Sequence, residues 1–120
     1  EEFVVIESAK RKCSKDLYLD HGPSDNATED FFRHQNQSPK IYRRSFMGDV
    51  YGIIDGVELG LGRAVMSRHL IDLNKNIKIL TGFQKMKRPV CMYYFEQPFY
   101  SKLMKKVIDL LETETDQYLT

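Results

Sequence analysis

Apolar side chains recur in short blocks whose spacing switches between that of a strand and that of a helix. Residues 3–6 (FVVI) form an uninterrupted, largely β-branched run and read as a buried strand. Residues 8–15 (SAKRKCSK) are polar and basic, a solvated loop, and residues 16–20 (DLYLD) alternate polar and apolar as a second strand does. A turn at 21–25 (HGPSD) follows, then a helix that Asn26 opens and Glu29 closes in a capping box, running to about His34 with Phe31 and Phe32 inward. Residues 35–40 read as a loop, with Pro39 as a preface to a strand over 41–46 (IYRRSF).

The sharpest helical period lies between Gly48 and Gly60. Val50, Ile53, Ile54 and Val57 fall at i, i+3, i+4 and i+7, with Asp49 at the positive end of the dipole and Gly60 as the stop. A strand over 63–66, a short helix or turn over 67–73 and a strand over 77–80 come next. Residues 89–96 (PVCMYYFE) are strongly β-prone. A last helix from Ser101 to about Glu112 is expected to bury Leu103, Val107, Leu110 and Leu111, and the tail after Thr113 to fray. Strands alternating with helices predict one α/β unit with a mixed, mostly parallel sheet.

Composition narrows the partners. The chain has 120 residues, enough for one domain, with 42% apolar and 29% charged residues. Eighteen Lys and Arg against 17 Asp and Glu leave a net charge of +1, without the basic excess of a domain that grips a nucleic-acid backbone. The basic run Lys10-Arg11-Lys12 with Lys15 accordingly reads as a solvated loop. Cys13 and Cys91 have no metal or redox spacing and fit a cytoplasmic protein with free thiols. No apolar run is long enough to span a bilayer, and no export signal opens the sequence.

Candidate chemistry is sparse. His21, His34 and His69 form no metal-ligand spacing, so no metal is expected. Ser24 and Asp25 beside His21 lack a nucleophile elbow and read as turn and cap residues, leaving no catalytic constellation. The same economy applies to Asn26-Ala27-Thr28, a formal glycosylation acceptor that capping explains. The aromatic cluster Tyr93-Tyr94-Phe95 with Phe99 and Tyr100 reads as core or interface. Gly60-Leu61-Gly62 resembles half of a dinucleotide fingerprint. In that fingerprint the glycines precede a helix; here they follow one, where the dipole repels phosphate, so no nucleotide cofactor is expected.

The run Val57-Glu58-Leu59-Gly60-Leu61-Gly62-Arg63-Ala64-Val65-Met66-Ser67 resembles the pattern of LysR-type transcription regulators: a Val, two variable residues, Gly-x-Gly and a small apolar strand. The downstream order is similar as well, with residues 77–80, the aromatic segment 91–96 and a closing helix that begins at Ser101. Residues 20–32 resemble the family's aspartate-containing turn and helix, and residues 3–8 the strand that crosses between lobes. The family usually carries Pro where this chain has Ser67.

The resemblance implies a three-layer lobe of the periplasmic-binding-protein-like type 2 fold. Residues 1–120 would be the second lobe of an effector-binding domain, with both crossing strands and the terminal helix. The winged helix-turn-helix would lie outside the chain, so DNA would be met only through that missing domain. It further implies a sensor rather than an enzyme, taking a small-molecule effector (a carboxylate is one candidate) in a cleft between lobes; self-association is expected separately, through pairing of strands 3–6 and 91–96 between chains. By matching position, the effector-binding residues would be Ser24 and Asp25, then Phe46, Met47 and Gly48, then Val65 and Met66. An exported solute-binding lobe and a small nucleotide-dependent enzyme are the competing readings.

Overall fold

A computed structural model describes residues 1–37 and 42–119 of the chain. The elements in order are β1 (Glu2–Ser8), β2 (Leu17–Asp20), α1 (Ala27–His34), β3 (Arg43–Phe46), α2 (Val50–Glu58), β4 (Ala64–Ser67), β5 (Ile77–Ile79), β6 (Met86–Lys87), α3 (Lys102–Glu114) and α4 (Asp116–Leu119), with a 3-10 turn at Arg68–Leu70. The class is mixed α/β. The expectations for Pro39 and for Ile41 as a strand residue lie outside the described residues.

The sheet departs from a mostly parallel one. β1 runs antiparallel to β4 on one side and to β5 and β6, end to end, on the other. Among the described residues only β2 and β3 form a parallel ladder, and a parallel bridge from Tyr18 to Arg63 joins β2 to the start of β4. The reason is connection length. Parallel neighbours need a crossover of about a dozen residues or more, usually through a helix. α1 and α2 supply such crossovers for β2, β3 and β4, and no helix links β1 to β2.

Alternation along β1 divides the core between two faces. Val4 and Ile6 pack with Ile53, Ile54 and Val57 of α2, while Val5 packs with Phe31 and Phe32 of α1 and with Tyr18. Phe31 is 1% exposed and ringed by edge-on contacts with Phe32 and Phe83 at 5.6 and 5.4 Å. Asp49 caps α2 by accepting from the Gly52 amide at 2.9 Å, and Gly60 stops the helix with φ of +77°.

The Gly-x-Gly turn is a packing device. A Cβ at Gly62 would lie 2.6 Å from the Leu17 carbonyl oxygen, and one at Gly60 3.0 Å from Arg11 Cβ and the Lys12 carbonyl. The turn lets β4 close on β2, where Leu19 donates to Arg63 and Arg63 to Leu17, both at 2.8 Å. A strand, not a helix, follows the glycines, so the geometry a dinucleotide turn requires is missing.

Four expectations are corrected. Asn26 makes no side-chain cap; Asp25 takes the Ala27 amide at 2.9 Å instead, and Glu29 pairs with Arg33 at 2.9 Å. Residues 89–96 form no strand, because no neighbouring strand among the described residues offers them a ladder, and their side chains stand exposed. α3 forms as the period predicts, with Ser101 accepting from the Met104 amide at 3.1 Å, but its apolar stripe is uncovered: Leu103 is 74% exposed and Leu110 55%. Residues 116–119, beyond Thr113, make one further helical turn rather than fraying.

Residues 89–119 thus form an arm whose last turn, α4, comes back against the 3-10 turn at Arg68–Leu70. The radius of gyration is 17.1 Å, against about 14 Å for a compact chain of this length. The longest principal extent, 54 Å, is about twice the other two, 29 and 27 Å.

Candidate functional site

Because β2, β3 and β4 run the same way, their carboxyl ends open on one edge, at Asp20, Phe46 and Ser67. α1 and α2 start just beyond that edge, and open α/β sheets hold ligands there. The antiparallel register brings Glu2 and Lys87 to the same edge. There the Arg88 amide donates to the Glu1 carbonyl at 2.9 Å and the Glu1 nitrogen to the Arg88 carbonyl at 2.7 Å. Glu1 and Arg88 therefore lie side by side at this edge.

The edge is held by one buried carboxylate. Asp20 is 1% exposed, accepts from Thr28 Oγ1 at 2.5 Å and from Arg44 Nε at 2.6 Å. Arg44 Nη2 also donates to the Asp25 carbonyl at 2.5 Å and reaches the Gly22 carbonyl at 3.5 Å, strapping the 21–25 turn to β3. The bond to Asp20 raises the Arg44 pKa further above its ordinary value, keeping it charged. The Arg44 guanidinium carbon stands over the Phe46 ring, 5.0 Å from its centroid.

The residues expected to bind an effector divide into two groups. Ser24, Asp25, Met47 and Gly48 sit in the two loops of this edge, and Phe46 ends β3 beside them. Ser24 is exposed, Phe46 is 45% exposed, and Met47 is half-buried against the α2-side core. Asp25 accepts from the His21 and Ala27 amides at 3.0 and 2.9 Å, so its carboxylate shapes the turn and does not meet the His21 ring as a triad would require. Gly48 has φ of +82°, and its amide donates to the His21 carbonyl at 3.0 Å. Val65 and Met66 are each 5% exposed, one in each core, and their side chains are committed to packing.

The expectation of free amides at both helix starts is also reduced, since Asp25 holds Ala27 and Asp49 holds Gly52. Arg44, which carries the edge, escaped the sequence reading. The alternation of 43–46 does put it on one face with Phe46, opposite Tyr18 and Asp20 in register, and that was the available signal.

A second polar cluster lies on β1. Glu7 takes Lys78 Nζ at 2.7 Å and Arg63 Nε at 2.9 Å. The bond from Lys78 and then those from Arg63, against an opposing cost of burial, hold its carboxyl below the usual range. The exposed run Lys10-Arg11-Lys12 is set by Ser8, whose hydroxyl accepts from the Arg11 amide at 3.0 Å and donates to the Glu58 carbonyl. Among the described residues no three His, Cys, Asp or Glu side chains converge as metal ligands, and no helix is long and apolar enough to cross a membrane. The chain matches no protein-family profile, no curated protein and no solved structure.

Proposed function

We propose that the chain is the second lobe of the effector-sensing domain of a LysR-type regulator, a periplasmic-binding-protein-like lobe that senses a small molecule at the edge formed by Asp20, Phe46 and Ser67. The observation that carries this reading is the shared edge. The carboxyl ends of the parallel strands, the starts of two helices and the paired residues Glu1 and Arg88 meet there. A lobe joined to another by two adjacent crossings has its ligand edge facing the hinge, so that a bound molecule can bias the angle between the lobes.

The arm supports the same reading. Its strand-prone run and its helix carry Met92, Tyr93, Phe95, Leu103 and Leu110 at 38 to 90% exposure, apolar surface that a further lobe would cover. In the whole regulator the response would pass to a separate DNA-binding domain, and the lobe itself would act as a sensor without turnover.

A screen of small metabolites by amide NMR on the full chain tests the proposal. Saturable ligands should shift Gly22, Ser24, Gly48 and Asp49 together. Ligands that instead gather on residues 89–119, or that are chemically converted, would refute it.

A further inference from the structure

We infer that α3 is a self-pairing surface: a second copy of this chain lays its own α3 antiparallel along the stripe of Leu103, Val107 and Leu110. This goes beyond the sensing-lobe reading and does not rest on it. That reading leaves the whole arm to a further lobe, whereas the charges of α3 assign the helix to a second copy and residues 89–96 to the lobe. Pairing of strands 3–6 and 91–96 between chains is not open to it. Among the described residues β1 has β4 on one side and β5 and β6 on the other, and residues 91–96 form no strand.

The spacing supplies the seam. Leu103, Val107, Leu110 and Glu114 follow one another at intervals of 4, 3 and 4 residues, the pattern by which one helix lies along another. The three apolar members are 46 to 74% exposed, and Glu114 closes the stripe at its C-terminal end.

Charge sets the direction. In α1, Glu29 and Asp30 stand in the first turn and Arg33 and His34 in the last, as the helix dipole favours. α3 is the reverse. Lys102, Lys105 and Lys106 crowd its positive start and Glu112 and Glu114 its negative end, with no acid in the first turn and no base in the last. Among the described residues the three lysines meet no carboxylate, and Glu114 accepts only from Gln117 Nε2, at 2.6 Å. An antiparallel copy relieves both ends at once. The two dipoles oppose, and Glu114 of each copy comes to Leu103 of the other, where Lys102 and Lys106 flank the stripe. Beside the stripe runs a groove of about 550 Å³ walled by Lys102, Lys105 and Lys106, a seat for that carboxylate. A parallel copy would set Lys106 on Lys106 and Glu114 on Glu114. Two-fold symmetry makes every favourable contact occur twice.

Sedimentation equilibrium of the full chain, from about 5 to 500 µM, tests this. It should show a monomer–dimer equilibrium with a Kd of about 10–200 µM, weak because two 13-residue helices meet over less than a standard interface. Lys102→Glu with Lys106→Glu, or Glu114→Lys alone, should each weaken it at least about fivefold, since each reversal sets like charges together at two symmetric places. All three substitutions in one chain restore opposite charges and should return the Kd to within about twofold of the parent. The three positions are exposed, so unchanged amide spectra over residues 1–37 and 42–87 are expected in every variant. A chain monomeric to about 500 µM, or a combined variant that does not recover, overturns the inference. So does a dimer that ignores the α3 reversals and is lost on Tyr93→Lys, as pairing through residues 91–96 would give. The sensing-lobe reading stands or falls separately, on the metabolite screen.

Discussion

Substituting Gly62 by Ala tests the junction on which the continuity of the fold depends. The new Cβ would lie 2.6 Å from the Leu17 carbonyl oxygen and 3.2 Å from its carbon, both backbone atoms with no rotamer to yield. Ordinary contact requires β2 to retreat by roughly 0.8 Å, enough to stretch the paired 2.8 Å bonds between Leu17, Leu19 and Arg63 beyond useful length. Overpacking alone costs about 1–3 kcal/mol, and each weakened bond adds up to about 1 kcal/mol, so Gly62→Ala should lose about 3–4 kcal/mol. Urea unfolding at neutral pH, with a slope of about 2 kcal/mol/M, would show the midpoint falling by about 1.5–2 M. Gly22→Ala, with nothing within 4 Å of its Cβ, is the control and should stay within about 0.5 kcal/mol of the parent. If Gly62→Ala loses less than about 1 kcal/mol, the reasoning fails and the glycine must serve something other than the β2–β4 contact.

Three further outcomes follow from the same geometry. Asp20→Asn keeps the shape of the acceptor but removes its charge from Arg44, and should cost about 2–3 kcal/mol in thermal or urea unfolding. Glu7 has a folded-state pKa below its ordinary value of 4.5, chiefly through Lys78 and then Arg63, so its contribution is fully present above about pH 4.5 and is lost as pH falls through the depressed folded value. Glu7→Gln should therefore flatten the acid limb of a stability–pH curve and leave the shape between pH 6 and 7 unchanged, and an unaltered acid limb would refute the assignment. Replacing Leu103, Val107 and Leu110 together by Ser should leave the unfolding midpoint of the sheet core within about 0.5 kcal/mol, because the three side chains are 46 to 74% exposed; sedimentation should show less association.

The parts of the fold legible in the sequence were those fixed by local period. β1 announced itself by a β-branched run and α2 by the spacing of Val50, Ile53, Ile54 and Val57, and both stand where the pattern put them. The direction of β1 was not legible, since alternation marks a strand without giving its orientation. The 89–96 segment has high β-propensity and no partner strand, and propensity cannot supply one. α3 illustrates the same limit: its period predicted a helix correctly but said nothing about what would cover Leu103 and Leu110. At α1 Asn26 holds the cap position without a side-chain bond, because Asp25 in the preceding turn takes the first helical amide, that of Ala27, instead.

The candidate edge was half legible. The loops holding Ser24, Asp25, Met47 and Gly48 come together beside Phe46 at the end of β3, as strand-then-helix order implies. Arg44 was not found, because its importance arises from its bond to Asp20, 24 residues away, and from the Thr28 hydroxyl that holds Asp20 in turn, contacts that no local pattern displays.

Reading the coding sequence upstream of the Glu1 codon tests the regulator assignment most directly. The expected result is an open frame that supplies a helix-turn-helix and a further α/β lobe, whose product binds its promoter and responds to ligands of the edge formed by Asp20, Phe46 and Ser67. A signal peptide leading into Glu1, or a frame that supplies no DNA-binding element, would contradict it.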